Sequence, residues 1–180
     1  SADEIKAQYA LTARKFKTAS ANPLPNETAL KGYWSFDGKN TILNSTTTDS
    51  SGNNNNGTLG TTASLTADVS DPTPVAGISG QALKFDGTND YVFFPSNIIT
   101  TTQFTVAGWA NHFGAGGGTD TDNPIFAQRD DATGNNHSSV GLFTESTSNL
   151  ANFSVRSSSG AVQNITATRK SNNEWHYYVG

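Results

Sequence analysis

From residue 30 onward the chain alternates apolar and polar positions over short stretches. Leu30, Trp34 and Phe36 share one parity; Lys31, Tyr33 and Ser35 share the other. A period of two is that of a half-buried strand, because successive side chains leave a strand on opposite faces. The same reading predicts strands at Leu30–Phe36, Ala82–Phe85, Tyr91–Phe94, Phe104–Ala110, Pro124–Gln128, Ser139–Phe143, Asn152–Arg156, Val162–Thr168 and Trp175–Val179. Asp86-Gly87 and Asn89-Asp90 place a tight turn between the second and third of these, as in a hairpin. Many short strands with polar turns predict an all-β, two-sheet antiparallel sandwich. Thr58 to Gly77 is low in apolar residues and reads as a surface excursion with short strand pieces. Gly114 to Asn123 reads as a flexible loop, since its glycines permit many backbone paths.

The first residues follow a different pattern. Ser1 and Glu4 fit a capping box, and Ile5, Tyr9 and Phe16 fall near one helical face. Asp3 and Glu4 at the start, with Arg14, Lys15 and Lys17 at the end, match the helix dipole. A helix is expected from about Ala2 to Phe16. Thr18 to Ala29, with Pro23 and Pro25, reads as a stiff linker.

Composition narrows the function classes. The net charge is -4 and charged residues make up only 14%. That leaves no basic footprint for nucleic acid or an anionic membrane surface. No apolar run approaches the ~20 residues that span a bilayer. The chain has 0 Cys, which removes disulfides and thiolate metal sites from consideration. The only glutamates are Glu4, Glu27, Glu145 and Glu174. They do not form the close carboxylate pair that glycoside hydrolysis requires. His112, His137 and His176 lack metal-like spacing, and no nucleophile, phosphate-loop or dinucleotide motif occurs. The expectation is a protein that is not an enzyme.

Oxygen chemistry gathers in one loop. Asp37, Asp49, Asn53 and Asn55 follow the first predicted strand, and hard cations such as calcium favour such carboxylate and amide oxygens. They are the candidate metal ligands. The competing reading is that Asp49 and Asn53 brace the turn by bonding its backbone. A second acidic group, Asp120, Asp122, Asp130 and Asp131, reads as solvated turns rather than as a metal or sugar site. Trp34, Phe85, Phe104, Phe153 and Trp175 are candidate core. Tyr33, Tyr91, Trp109, His176 and Tyr178 have the opposite parity, and an exposed aromatic among them would offer a platform to a sugar ring.

In order, the chain carries GYWSFDG, DSSGNNNNGTL, GQALKFDGTNDYV, FTVAGWA and NEWHYYVG. This ordered set resembles the bacterial laminin-G-like family, with its concanavalin A-type jelly roll. The resemblance spans about Leu30 to the C-terminus. It implies a jelly-roll sandwich from 30 to 180 and a habit of binding rather than one ligand. SADEIKAQY is similar to the closing segment of such a repeat, so residues 1–17 are expected to be the tail of a preceding repeat, with a linker at 18–29. The alternative is an amphipathic helix packing on its own domain. In the family, closing strands follow NEWHYYVG, so the jelly roll is expected to be C-terminally incomplete. A neighbouring repeat or copy would then supply the missing strands. The implied function is an extracellular or cell-surface adhesion module, calcium-braced, that binds glycans or surface proteins. A carbohydrate-binding module of a larger secreted hydrolase and a structural spacer repeat are the alternatives.

Overall fold

The computed structural model describes residues 29–95, 97–113, 122–129, 138–145, 150–156, 161–168 and 173–180. The expected helix at 1–17 and all but the last residue of the linker lie outside them. Twelve strands run through the described residues. They are β1 Thr41–Ile42, β2 Thr46–Thr47, β3 Gly57–Leu59, β4 Thr73–Ala76, β5 Gln81–Lys84 and β6 Val92–Phe93, followed by β7 Ala107–Asn111, β8 Asp122–Arg129, β9 Ser138–Glu145, β10 Leu150–Arg156, β11 Val162–Thr168 and β12 Trp175–Val179. All pairings are antiparallel, so the all-β reading holds.

Strands β8 to β11 form a meander in the order β11-β10-β9-β8. Phe126, Leu142, Phe153 and Ile165 are direct cross-strand partners and make one apolar row. Gln128, Val140, Val155 and Gln163 make the next row on the same face. Val140 and Leu142 lie at the centre and are buried, whereas Ile165 on the outermost strand is exposed. Pro124 sits on edge strand β8, beside a register shift between Pro124 and Phe126. A proline cannot donate to a ladder, so an edge and a bulge are where it is tolerated.

The ribbon β7–β12 lies against this apolar face. Its ladder runs one pair beyond the strands, through reciprocal Val106–Gly180 bonds of 2.9 Å. Gly180 abuts the Phe153 ring so closely that a Cβ there would collide with it. The Phe104 ring is 6.1 Å from the Phe153 ring, and Thr144 Oγ1 is 3.4 Å from His112 Nδ1. Two β layers therefore face each other around Phe153. The other strands make a small sheet in the order β1-β2-β3-β6 and a β4–β5 ribbon. Leu59 and Thr47 are fully buried in that half.

Four expectations are corrected. Leu30–Phe36 is not a strand. Its backbone is held by the side chains of the following loop, and Phe36 adopts φ 51, which breaks an extended run. Strands β5 and β6 do not form a hairpin with each other, because β5 pairs with β4 and β6 with β3. The turn between them exists, but it is closed by side chains. Asp86 accepts from Thr88 N–H and Asn89 N–H, and Asp90 accepts from Asp86 N–H. This wide turn leads the chain from one sheet to another. Thr58–Gly77 holds the short strand pieces expected of it, in β3 and β4, but it is not a surface excursion throughout, because Leu59 and Pro72 are buried. Phe85, expected in the core, is exposed.

The apolar row makes a direct prediction. Leu142→Ala should cost about 2–5 kcal/mol, as large-to-small changes in a core do. Ile165→Ala, at the open end of the same row, should cost under about 1 kcal/mol. Urea unfolding of the two variants measures both.

Candidate functional site

The loop after Thr48 is built around one carboxylate. Asp49 is 5% exposed. Its Oδ1 accepts from Tyr33 N–H at 2.9 Å and Ser51 N–H at 2.8 Å. Its Oδ2 accepts from the Ser51 hydroxyl at 2.8 Å and Asn55 N–H at 3.0 Å. A carboxylate offers about four acceptor positions, and protein donors take all of them here. The asparagine amides then reach back to the preceding segment. Asn53 Nδ2 donates to Leu30 O at 2.6 Å, and Asn55 Nδ2 donates to Lys31 O at 2.7 Å. Asn56 Oδ1 accepts from Asp49 N–H at 2.9 Å.

Asp49, Asn53 and Asn55 therefore share one network, and that network bonds backbone. Asp37 belongs to a separate turn. There it accepts from the Ser35 hydroxyl and Lys39 N–H, each at 3.0 Å. The Lys39 N–H bond is the main reason that its carboxyl is held below the usual range. For Asp49 to ligate calcium, its donors would have to be displaced, so the four residues do not fit a ready-made shell as they stand.

Trp34 closes the same region. Its Nε1 donates to Asn55 O at 2.9 Å, and its ring lies 4.5 Å from that of Phe94. Gly32 packs under the indole, where a Cβ would collide with the ring.

A second acidic region surrounds Gly60. Gly60 N–H donates to Tyr91 O, and Tyr91 N–H donates to Ser70 O, so three chain segments converge there. Asp68 Oδ1 accepts from Ser70 N–H at 2.7 Å, and its Oδ2 takes the Thr61 hydroxyl. Those bonds, the Thr61 hydroxyl first, hold its carboxyl below the usual range. Asp90 is pushed the other way, first by burial and then by the charges of Asp86, Asp71 and Asp68.

The aromatic residues divide by face. On β12, His176 and Tyr178 turn inward, toward a cleft of about 420 Å³ that Leu142, Phe153 and Ile165 also line. Trp109 and Tyr177 are cross-strand partners, 55% and 57% exposed, with ring centroids 5.2 Å apart. Val179 is exposed on the same ribbon. Sequence parity set Trp109 among the residues available to a sugar but did not select Tyr177. Their juxtaposition depends on a register between strands more than 60 residues apart, and no local signal carries it. Of the second acidic group, Asp120, Asp130 and Asp131 lie outside the described residues, as does His137. Asp122 is described only as the first residue of β8.

No protein-family model, curated protein or solved structure matches this chain.

Two predictions follow from the Asp49 loop. Burial pushes the Asp49 pKa up, but the bonds from Ser51, Tyr33 and Asn55 outweigh it and hold the carboxyl below its ordinary value. A depressed carboxylate stabilises the fold above its unfolded pKa of about 3.9, and loses that contribution as pH falls through the folded value. Urea midpoints should therefore drop below about pH 4 in the wild type. Asp49→Asn should already be weakened by about 1–3 kcal/mol at neutral pH and show a flatter acid limb. Trp34→Ala should cost about 3 kcal/mol, by loss of the ring contacts and the Asn55 bond. A loss below about 1 kcal/mol would mean that the indole does not anchor the loop.

Proposed function

We propose that this chain is an interaction module of an extracellular or cell-surface protein, a laminin-G-like jelly roll that binds glycans through the outer face of β7–β12. The observation that carries the reading is the Trp109–Tyr177 pair. Two aromatic side chains stand side by side on a regular ladder, each more than half exposed. Single exposed aromatics are ordinary, but two in contact make a contiguous apolar patch, and such patches mark interaction surfaces. The apolar C–H face of a sugar ring suits such a surface, and the Tyr177 hydroxyl is a polar handle for ring hydroxyls. The ladder fixes the two backbones opposite each other and so sets the spacing of the rings before any ligand arrives.

The all-β architecture, the ordered family-like motifs and the low charge support the same reading. The low charge also disfavours an anionic polymer as partner.

A glycan array with the purified chain tests the proposal. Binding is expected to at least one glycan class, and Trp109→Ala and Tyr177→Ala should each weaken it at least tenfold. Both positions are exposed, so the unfolding midpoints should stay close to wild type. An array without signal, or variants that bind as the wild type does, would refute the proposal.

A further inference from the structure

Among the described residues, one buried carboxylate is satisfied at only one of its two oxygens. Asp71 is only 8% exposed. Its Oδ2 accepts from Asp68 N–H at 2.7 Å, but its Oδ1 is buried without a hydrogen-bond partner. Buried polar atoms are almost always satisfied, and a buried carboxylate oxygen without a donor is costly. Asp49 shows how this fold treats such a group when protein donors suffice: it supplies four of them.

The surroundings of Asp71 are acidic. A Cβ placed on Gly60 would collide with Asp71 Oδ1 and lie 3.0 Å from Asp68 Oδ1. Both oxygens therefore approach the same point of the Gly60 backbone, as close as only a residue without a side chain permits. Gly60 has φ 62, so glycine also suits its backbone. Asp86 and Asp90 stand near enough to act on one another's charge, and Asp90 also feels Asp68 and Asp71. Among the described residues, no lysine or arginine forms an ion pair with any of the four.

From this geometry we infer a calcium-binding site between Gly60 and the Asp68–Asp71 turn, with Asp71 Oδ1 and Asp68 Oδ1 as its protein carboxylate ligands. No three acidic or imidazole side chains among the described residues are placed to hold an ion by themselves. The shell is thus a two-carboxylate one, completed by backbone carbonyls and water, as calcium's six to eight oxygen positions permit. Asp90 contributes charge rather than a direct bond. A hard divalent ion would satisfy the buried oxygen and relieve the repulsion among the carboxylates together. The site differs from the Asp49 loop, whose acceptors are occupied, and it does not depend on the glycan reading.

Terbium luminescence tests the site: the Tyr91 backbone is bonded to both Gly60 and Ser70, which makes its phenol the nearest tyrosine in the chain path to serve as sensitiser. Saturable emission is expected, reversed by calcium at about 0.1–1 mM, as for weak oxygen-ligand sites. Asp71→Asn should weaken it at least tenfold, while Asp49→Asn should leave it within about twofold. Should Asp71→Asn fail to fold, calcium titration of wild-type protein followed by amide chemical shifts decides the matter. Shifts centred on Gly60, Asp71 and Tyr91 support the site. Shifts centred on Ser51 and Asn55, no saturable emission, or an Asp71→Asn variant that binds as wild type would overturn it.

Discussion

The buried Asp49 carboxylate is the constraint on which the front half of this protein depends. It draws Tyr33, Ser51 and Asn55 to one point, so the segment before the first strand and the asparagine-rich loop become one unit. Ordinarily a backbone ladder does this work, with each N–H paired to a carbonyl on a neighbouring strand. Here the loop's side chains stand in for that neighbour. They bond Leu30 O, Lys31 O and Tyr33 N–H, while among the described residues only Ser50 N–H to Tyr33 O is a backbone pair. The arrangement also explains the position of Trp34. Its indole covers the network from one side and bonds Asn55 O, so apolar packing and polar satisfaction meet in one residue.

The back half rests on a different principle. Its meander is held by continuous ladders, and its apolar row centres on Leu142 and Phe153. Where the ribbon β7–β12 meets that row at Phe153, residue 180 is a glycine, and the close approach there depends on it. A larger side chain would hold the layers apart at Phe153. The inward turn of Gly180, Tyr178 and His176 then sends Tyr177 outward, beside Trp109. The exposed aromatic pair is thus a geometric consequence of the layer contact: strand alternation permits one parity to be packed and leaves the other in solvent.

These two principles explain what was legible in the sequence. Strands β8 to β12 were readable because each combines β-branched or aromatic residues with a period of two, and their ladders are regular. Leu30–Phe36 has the same period and is not a strand. Periodicity reports which faces are buried, not which groups take the backbone bonds, and here side chains take them. The Asp86 turn was readable as a turn, but the sheet that each flanking strand joins was not. That choice is made by β3 and β4, contributed from a stretch with little apolar signal. Leu59 is buried there because β2 and β6 enclose it, and a single leucine in a polar run carries no local sign of that.

Asp49 and Asp71 are the same residue type in turns of similar composition, and sequence drew attention only to the first. Asp49 is followed by serine and asparagine within reach, so its turn chemistry is local and visible. The setting of Asp71 comes from elsewhere in the chain. Gly60 lets the backbone come close beside it, and Tyr91 fixes the adjacent backbone through Ser70. A carboxylate surrounded by its own donors is a finished structural brace with little left to offer a cation. One that is buried with an unpaired oxygen among other carboxylates still has its charge to balance. Electrostatics therefore assigns these two aspartates opposite tasks, because a buried charge that protein donors do not satisfy needs a counter-charge.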